Sequence, residues 1–160
     1  MTTQLTIICV DDQREVLTTI VDDLAFFQQL IRIEECESAE EALNLMEECD
    51  VEGHHIAVIL SDQVMPKISG VEFLMSVSSD SRFIGTKKIL LTGLATHQDT
   101  IAAINLARID AYIEKPWQSD HVITIVKRLI TEYVFENGLN WQDWQSILDS
   151  EEILKYHRLA

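Results

Sequence analysis

Five short apolar runs that alternate with segments of helical periodicity constrain this chain more than any other feature of its sequence. The runs span residues 5–10, 31–36, 56–61, 87–91 and 111–114. The first is rich in β-branched residues. The second alternates Ile31 and Ile33, the pattern of a strand nearer an edge. The third is continuously apolar, as expected of a central strand covered on both faces. Between the runs, 12–29 places Val16, Ile20, Leu24 and Phe27 at helical spacing. Ser38 with Glu41 three residues on is a capping box, opening a helix with Ala42, Leu43 and Met46 on one face. Pro66 to Gly70 reads as a turn, followed by a helix with Val71, Leu74 and Met75 inward. Residues 98–107 predict the fourth helix and 117–135 a long fifth.

Strands alternating with helices predict right-handed crossovers and a parallel sheet. Five such units suit a flavodoxin-like (βα)5 doubly wound α/β fold with strand order 2-1-3-4-5. At 160 residues with 47% hydrophobic content, the chain has the material for one packed core. Two prolines and five glycines leave no visible linker. No stretch approaches the roughly 20 apolar residues of a membrane span, and the first residues lack the pattern of a signal peptide. The three cysteines form no CxxC pair, which predicts reduced thiols in a cytoplasmic protein. The net charge is −15, and residues 1–52 hold 14 acidic against 2 basic side chains. A nucleic-acid backbone is bound through clustered cations, so direct DNA or RNA binding is excluded as an expectation, as is a membrane surface.

Residues that follow parallel strands converge on one crevice at the carboxyl edge of the sheet. Here they are Asp11 and Asp12 after the first run, Asp62 after the third, Thr92 after the fourth and Lys115 after the fifth. Taken singly, each has a bland reading. An aspartate at a strand end caps a helix or is solvated, Thr92 is a turn residue and Lys115 a surface charge. Together they offer carboxylate oxygens to a hard cation such as Mg2+, an aspartyl nucleophile, and a hydroxyl and an ammonium to phosphoryl oxygens. Pro116 makes the Lys115–Pro116 bond a candidate for the cis form.

In these residues the chain resembles the receiver domains of bacterial two-component response regulators. Asp62-Gln-Val-Met-Pro-Lys-Ile-Ser-Gly70 fits the family pattern D-x-x-M-P-x-x-x-G, and Asp11-Asp12, Leu-Leu-Thr92 and Lys115-Pro116 match in order and spacing over about residues 4–136. The resemblance implies that Asp62 accepts a phosphoryl group from a histidine kinase, a phosphotransfer protein or a small donor such as acetyl phosphate. It implies that Asp11, Asp12, Asp62 and the backbone carbonyl of Gln63 hold Mg2+. Thr92 and Lys115 would then bind phosphoryl oxygens, and Thr92 and Tyr112 would form the switch that reshapes the face of the fourth helix, fifth strand and fifth helix. The output would reach a downstream protein or a second copy of the chain. Such a domain is a phosphoacceptor switch, with at most weak self-phosphorylation and self-dephosphorylation. Gln63 stands where the family more often has an apolar residue, and Gly93 where it usually has alanine.

Two other classes are weaker. A haloacid-dehalogenase-type phosphatase needs DxDx[TV] after the first strand, where this chain has Asp11-Asp12-Gln13-Arg14. A degenerate receiver serving as a phosphorylation-independent binding module conflicts with the intact set of site residues. His54 and His55 adjoin in a predicted loop, and His97, His121 and His157 are scattered. No GxxxxGK[ST], GxGxxG or HExxH motif occurs.

Residues 137–160 lie beyond the resemblance, after the helix-stop signal Asn137-Gly138. Leu139, Trp141, Trp144, Ile147, Leu148, Ile153 and Leu154 predict a helical extension, with too few cations for DNA. The fifth helix carries apolar residues on more than one face, so its surplus needs a cover. Two arrangements stand open: the extension folds back on that helix, or helix and extension bind a partner or a second copy. The division expected is 1–136 for the receiver and 137–160 for the extension.

Val64 and Leu94, two residues past Asp62 and Thr92, are apolar where polar side chains orient water. Slow self-dephosphorylation is therefore expected, read as the decay of phosphoprotein after donor removal. A lifetime of seconds without a phosphatase contradicts it.

Overall fold

A computed structural model describes residues 3–93 and 98–159. Five parallel strands, β1 (Leu5–Val10), β2 (Arg32–Cys36), β3 (His55–Asp62), β4 (Lys87–Thr92) and β5 (Ala111–Glu114), form one sheet in the order β2-β1-β3-β4-β5. The helices are α1 (Arg14–Asp23), α2 (Ala39–Glu52), α3 (Gly70–Ser79), α4 (Gln98–Ala107), α5 (Ser119–Glu136) and α6 (Ser150–Leu159). The flavodoxin-like architecture and strand order are those expected from the alternation of apolar runs.

Burial follows position in the sheet. Every residue of β1 and β4 is buried, whereas the edge strands β2 and β5 are half exposed. Successive side chains of a strand point to opposite faces. Thus Leu5, Ile7 and Cys9 join the cluster under α1 and α5, while Ile8 and Val10 join the cluster under α2 and α3.

The first predicted helix is shorter than its periodicity suggests. It ends at Asp23, and a tighter helical turn, Ala25–Gln29, follows. The amide of Leu24 is shared between the carbonyls of Ile20 and Val21, both at 3.1 Å, and the turn sends Phe27 and Ile31 into the core while Phe26 stays at the surface. At α2, Ser38 Oγ accepts the Glu41 N–H at 3.1 Å as the capping box requires, but Glu41 reaches back to the amide of Glu37, one residue earlier than Ser38.

The end of α5 closes as a Schellman motif. Gly138 has φ 65°, its N–H bonds to the Phe135 carbonyl, and the Leu139 N–H bonds to the Val134 carbonyl at 3.0 Å. A short 3-10 helix, Trp141–Ile147, and then α6 run back over α5. Trp144, Ile147 and Leu148 are buried in the same cluster as Leu5 and Leu129. The Asp149 amide donates to Thr131 Oγ1 at 2.9 Å, and the Phe135 ring stacks on Tyr156 at 4.5 Å between centroids. The surplus apolar face of α5 is therefore covered by this chain itself, with Trp144 buried and Trp141 half-buried. All three cysteines are free and buried. Burial pushes their thiols up, Cys36 to about 12, which leaves them protonated near neutral pH.

Trp144 is 2% exposed, so Trp144→Ala opens a cavity between α5 and the tail. Urea unfolding is expected to show a loss of about 3–5 kcal/mol.

Candidate functional site

The carboxyl edge of the sheet gathers the charged residues. Asp11 follows β1, and its N–H is fixed by the Cys36 carbonyl at 3.1 Å, while its Oδ1 accepts the Gln13 N–H at 2.8 Å. Its carboxylate is buried, Asp12 beside it is exposed, and Asp62 closes β3 at 5% exposure. Oxygens of Asp11, Asp12 and Asp62 lie within 4.8 Å of one another. Lys115 Nζ sits 2.5 Å from Asp62 Oδ1 and 3.6 Å from Asp11 Oδ2. Thr92 ends β4 nearly buried, and its carbonyl accepts the Lys115 N–H at 2.9 Å, so pairing of β4 with β5 carries up to the site. The Lys115–Pro116 peptide is cis. Tyr112 lies on edge strand β5 with 52% of its surface exposed.

Electrostatics mark Asp11 out. Burial pushes its carboxyl above the ordinary range, and the Asp62 charge pushes the same way, against the Gln13 amide and the Lys115 ammonium. Its Oδ2 is buried without a hydrogen-bond partner. A buried carboxylate oxygen with no hydrogen bond and only a 3.6 Å ion pair to Lys115 is unfavourable and ready to take a cation.

Helix α3 is fastened beside Asp62. The first amides of a helix have no partner within it, and here each has one. Gly70 N–H donates to the Gln63 carbonyl and Val71 N–H to Gln63 Oε1, both at 2.9 Å; Glu72 N–H donates to Ser69 Oγ at 3.1 Å and Phe73 N–H to the Ser69 carbonyl at 3.0 Å. A Cβ on Gly70 would stand 2.2 Å from the Asp62 carbonyl oxygen, so glycine alone permits this approach. Gln63 makes two contacts to the start of α3. Its carbonyl is turned to the N-terminus of α3, where it accepts the Gly70 N–H, and its side chain has a structural task that sequence reasoning did not assign. A polar residue next to Asp62, shortly before a helix start, was the available signal.

The other candidates fall elsewhere. His55 opens β3 at the opposite edge of the sheet, its Nδ1 2.8 Å from the Tyr133 hydroxyl, and His54 Nδ1 lies 3.2 Å from Glu52 Oε2. His121 stands in the first turn of α5 and His157 packs edge-on to Trp141. Val64 is 80% exposed. Leu94 and His97 lie outside the described residues.

Comparison with known proteins gives a consistent picture. Residues 7–127 match the family profile of the response regulator receiver domain. The chain is 34% identical over 130 residues to the hydrogenase transcriptional regulatory protein HoxA of Cupriavidus necator, covering 79% of this chain and 24% of that protein. It is 28% identical over 134 residues to response regulator Rre1 of Synechocystis sp., covering 81% of this chain and 53% of that one. The chain thus spans about a quarter and about half of these relatives. A solved CheY-like response regulator receiver domain protein from Methanospirillum hungatei superposes with a TM-score of 0.69 at 25% identity, over 84% of this chain and 99% of that one.

Replacing Gln63 by leucine removes the acceptor for the Val71 amide while keeping bulk. Denaturant unfolding is expected to show a loss of about 1 kcal/mol, the typical value of a helix cap. A stability equal to wild type contradicts the capping role.

Proposed function

The chain belongs to the response regulator receiver domain family, which acts in phosphorelay signalling, and from that premise we propose that Asp62 is its phosphoacceptor in a Mg2+-dependent reaction. One observation carries the reading: Lys115 Nζ bridges Asp62 and Asp11 at the carboxyl edge of the sheet, where three carboxylates converge. The donor set suits a hard cation, being all oxygen, with Asp11 Oδ2, which has no hydrogen bond, among it. Asp11, Asp12 and Asp62 would hold it, with the Gln63 carbonyl able to contribute through the lone pair that Gly70 does not use. When bound, Mg2+ neutralises charge between these acids and the incoming phosphoryl group.

The chain's own residues supply the rest. An Asp62 oxygen attacks phosphorus in the donor; the new O–P bond forms as the N–P bond of a phosphohistidine breaks. The electron pair leaves with the imidazole nitrogen, which takes up a proton. For acetyl phosphate the leaving group is acetate. Lys115, now paired with Asp62, moves its charge to a phosphoryl oxygen, and the Thr92 hydroxyl donates to another. Burial of Asp62 keeps water from competing for this charge. The switch is the pair Thr92 and Tyr112: a change at Thr92 is transmitted to Tyr112, which is 52% exposed on β5.

The partners that fit are a histidine kinase or phosphotransfer protein upstream, and a protein target or second copy downstream. The charge of −15 speaks against nucleic acid contacts by this segment. No described helix is long and apolar enough to cross a membrane, and three free thiols suit a cytoplasmic location. A catalytic role beyond self-phosphorylation and self-dephosphorylation is not part of the proposal.

Intact mass spectrometry with acetyl phosphate and Mg2+ tests it. The wild type is expected to gain one phosphoryl group, and D62N none. Gain without Mg2+, or in D62N, refutes the assignment.

The raised Asp11 pKa sets a pH dependence. Cation binding needs the carboxylate, so protons compete at higher pH than for an ordinary aspartate of pKa about 3.9. Mg2+ affinity measured by titration calorimetry is expected to fall as the solution is acidified, beginning at a higher pH than for a site of ordinary aspartates. A group whose pKa is raised by folding destabilises the fold above that pKa, and the loss is relieved as pH falls through it. D11N is therefore expected to raise the metal-free melting temperature and to abolish stabilisation by Mg2+.

A further inference from the structure

The segment that carries Lys115 into α5 is held by one carboxylate. Asp23, the last residue of α1, accepts the Trp117 indole N–H on Oδ2 and the Ser119 hydroxyl on Oδ1, both at 2.6 Å. Among the described residues, the side-chain hydrogen bonds of Trp117 and Ser119 to another element both end on Asp23, while the Gln118 carbonyl accepts the His121 and Val122 N–H groups of α5. On the other side of Lys115, its N–H is fixed by the Thr92 carbonyl. The path of the chain at Lys115 is thus set at two points, the last bond of β5 and Asp23.

Packing supplies less restraint over this stretch. An open groove of about 490 Å3 runs between α1 and the segment, with Glu15, Thr19 and Asp23 on one wall and Lys115, Pro116 and Ser119 on the other. Pro116, Gln118 and Ser119 are exposed, and Trp117 is half-buried against the core. Gln118, which precedes α5, forms no side-chain cap. The Asp23 charge lies instead at the first turn of α5, where a negative group is favourable.

We infer that Asp23 is a positioning residue for Lys115: by gripping Trp117 and Ser119 it fixes the path of the segment and so the place of the ammonium beside Asp62. This rests on the reading of Lys115 given above. The lysine stem has four rotatable bonds and is 26% exposed, so its backbone must stand at the right distance if the ammonium is to serve a phosphoryl group. Displacements of about 1 Å in such a group are costly to reaction rates.

The test compares the wild type, D23A and D23N in phosphorylation by acetyl phosphate at saturating Mg2+, with Mg2+ affinity measured separately. D23A is expected to slow phosphorylation about tenfold while Mg2+ affinity stays within about twofold. Asparagine can accept from Trp117 and donate to the Ser119 oxygen, so D23N is expected to recover to within about threefold of wild type. If D23A does not fold, the W117F/S119A double variant, which removes both donors and keeps Asp23, carries the same expectation. A rate for D23A within about twofold of wild type overturns the positioning role, as does a parallel fall of rate and Mg2+ affinity with no recovery in D23N. A wild type that accepts no phosphoryl group overturns the site reading and this inference together; a reactive wild type with an unaffected D23A overturns the inference alone.

Discussion

The Lys115 ammonium, set between Asp62 and Asp11, is the interaction on which the rest of the structure turns. Three carboxylates within 4.8 Å repel one another. Two unit charges about 4 Å apart interact by about 4 kcal/mol at an effective dielectric near 20. A typical domain is stable by only about 5–15 kcal/mol, so an uncompensated acidic cluster would consume much of it. Lys115 offsets part of that repulsion while leaving Asp11 Oδ2 without a hydrogen bond. The fold thus holds a site under electrostatic tension, which a bound cation would relieve before the anionic phosphoryl group arrives in the proposed reaction.

The scaffold meets this demand by bringing rigid elements to one edge. Buried strands β1, β3 and β4 deliver Asp11, Asp62 and Thr92, and edge strand β5 delivers Lys115. Helix α3 is pressed against the Asp62 carbonyl, which Gly70 permits, and Gln63 ties off its first amides. Tyr112 lies on the exposed edge strand, where motion disturbs the least packing. The far side of α5 is already occupied by Trp144 and its neighbours, so an output through α5 uses the surface that the tail leaves open.

Much of this was legible in the chain. The continuous apolar run of β3 marked a strand covered on both faces, the shorter apolar stretches of β1 and β4 marked its neighbours, and Asp11, Asp62, Thr92 and Lys115 stand out because each ends such a run. What stayed hidden depends on contacts between distant residues. Whether the tail folds back was open, since apolar spacing shows that Trp144 needs burial and not against what. The break after Asp23 escaped because Phe26 and Phe27 continue the helical pattern. Asp23 itself is 94 residues from its partner Trp117, and no local signal links them. The Gln63 cap was missed because an interior polar residue was read for its backbone alone.

The account stands on Asp62, Lys115 and Thr92 converging on one phosphoryl group, and fluorine NMR of the protein with Mg2+ and beryllofluoride tests that most directly. The account predicts bound fluorine resonances that require Mg2+, vanish in D62N and shift in K115R and T92S. Bound resonances that persist in D62N, or none in the wild type, would contradict it.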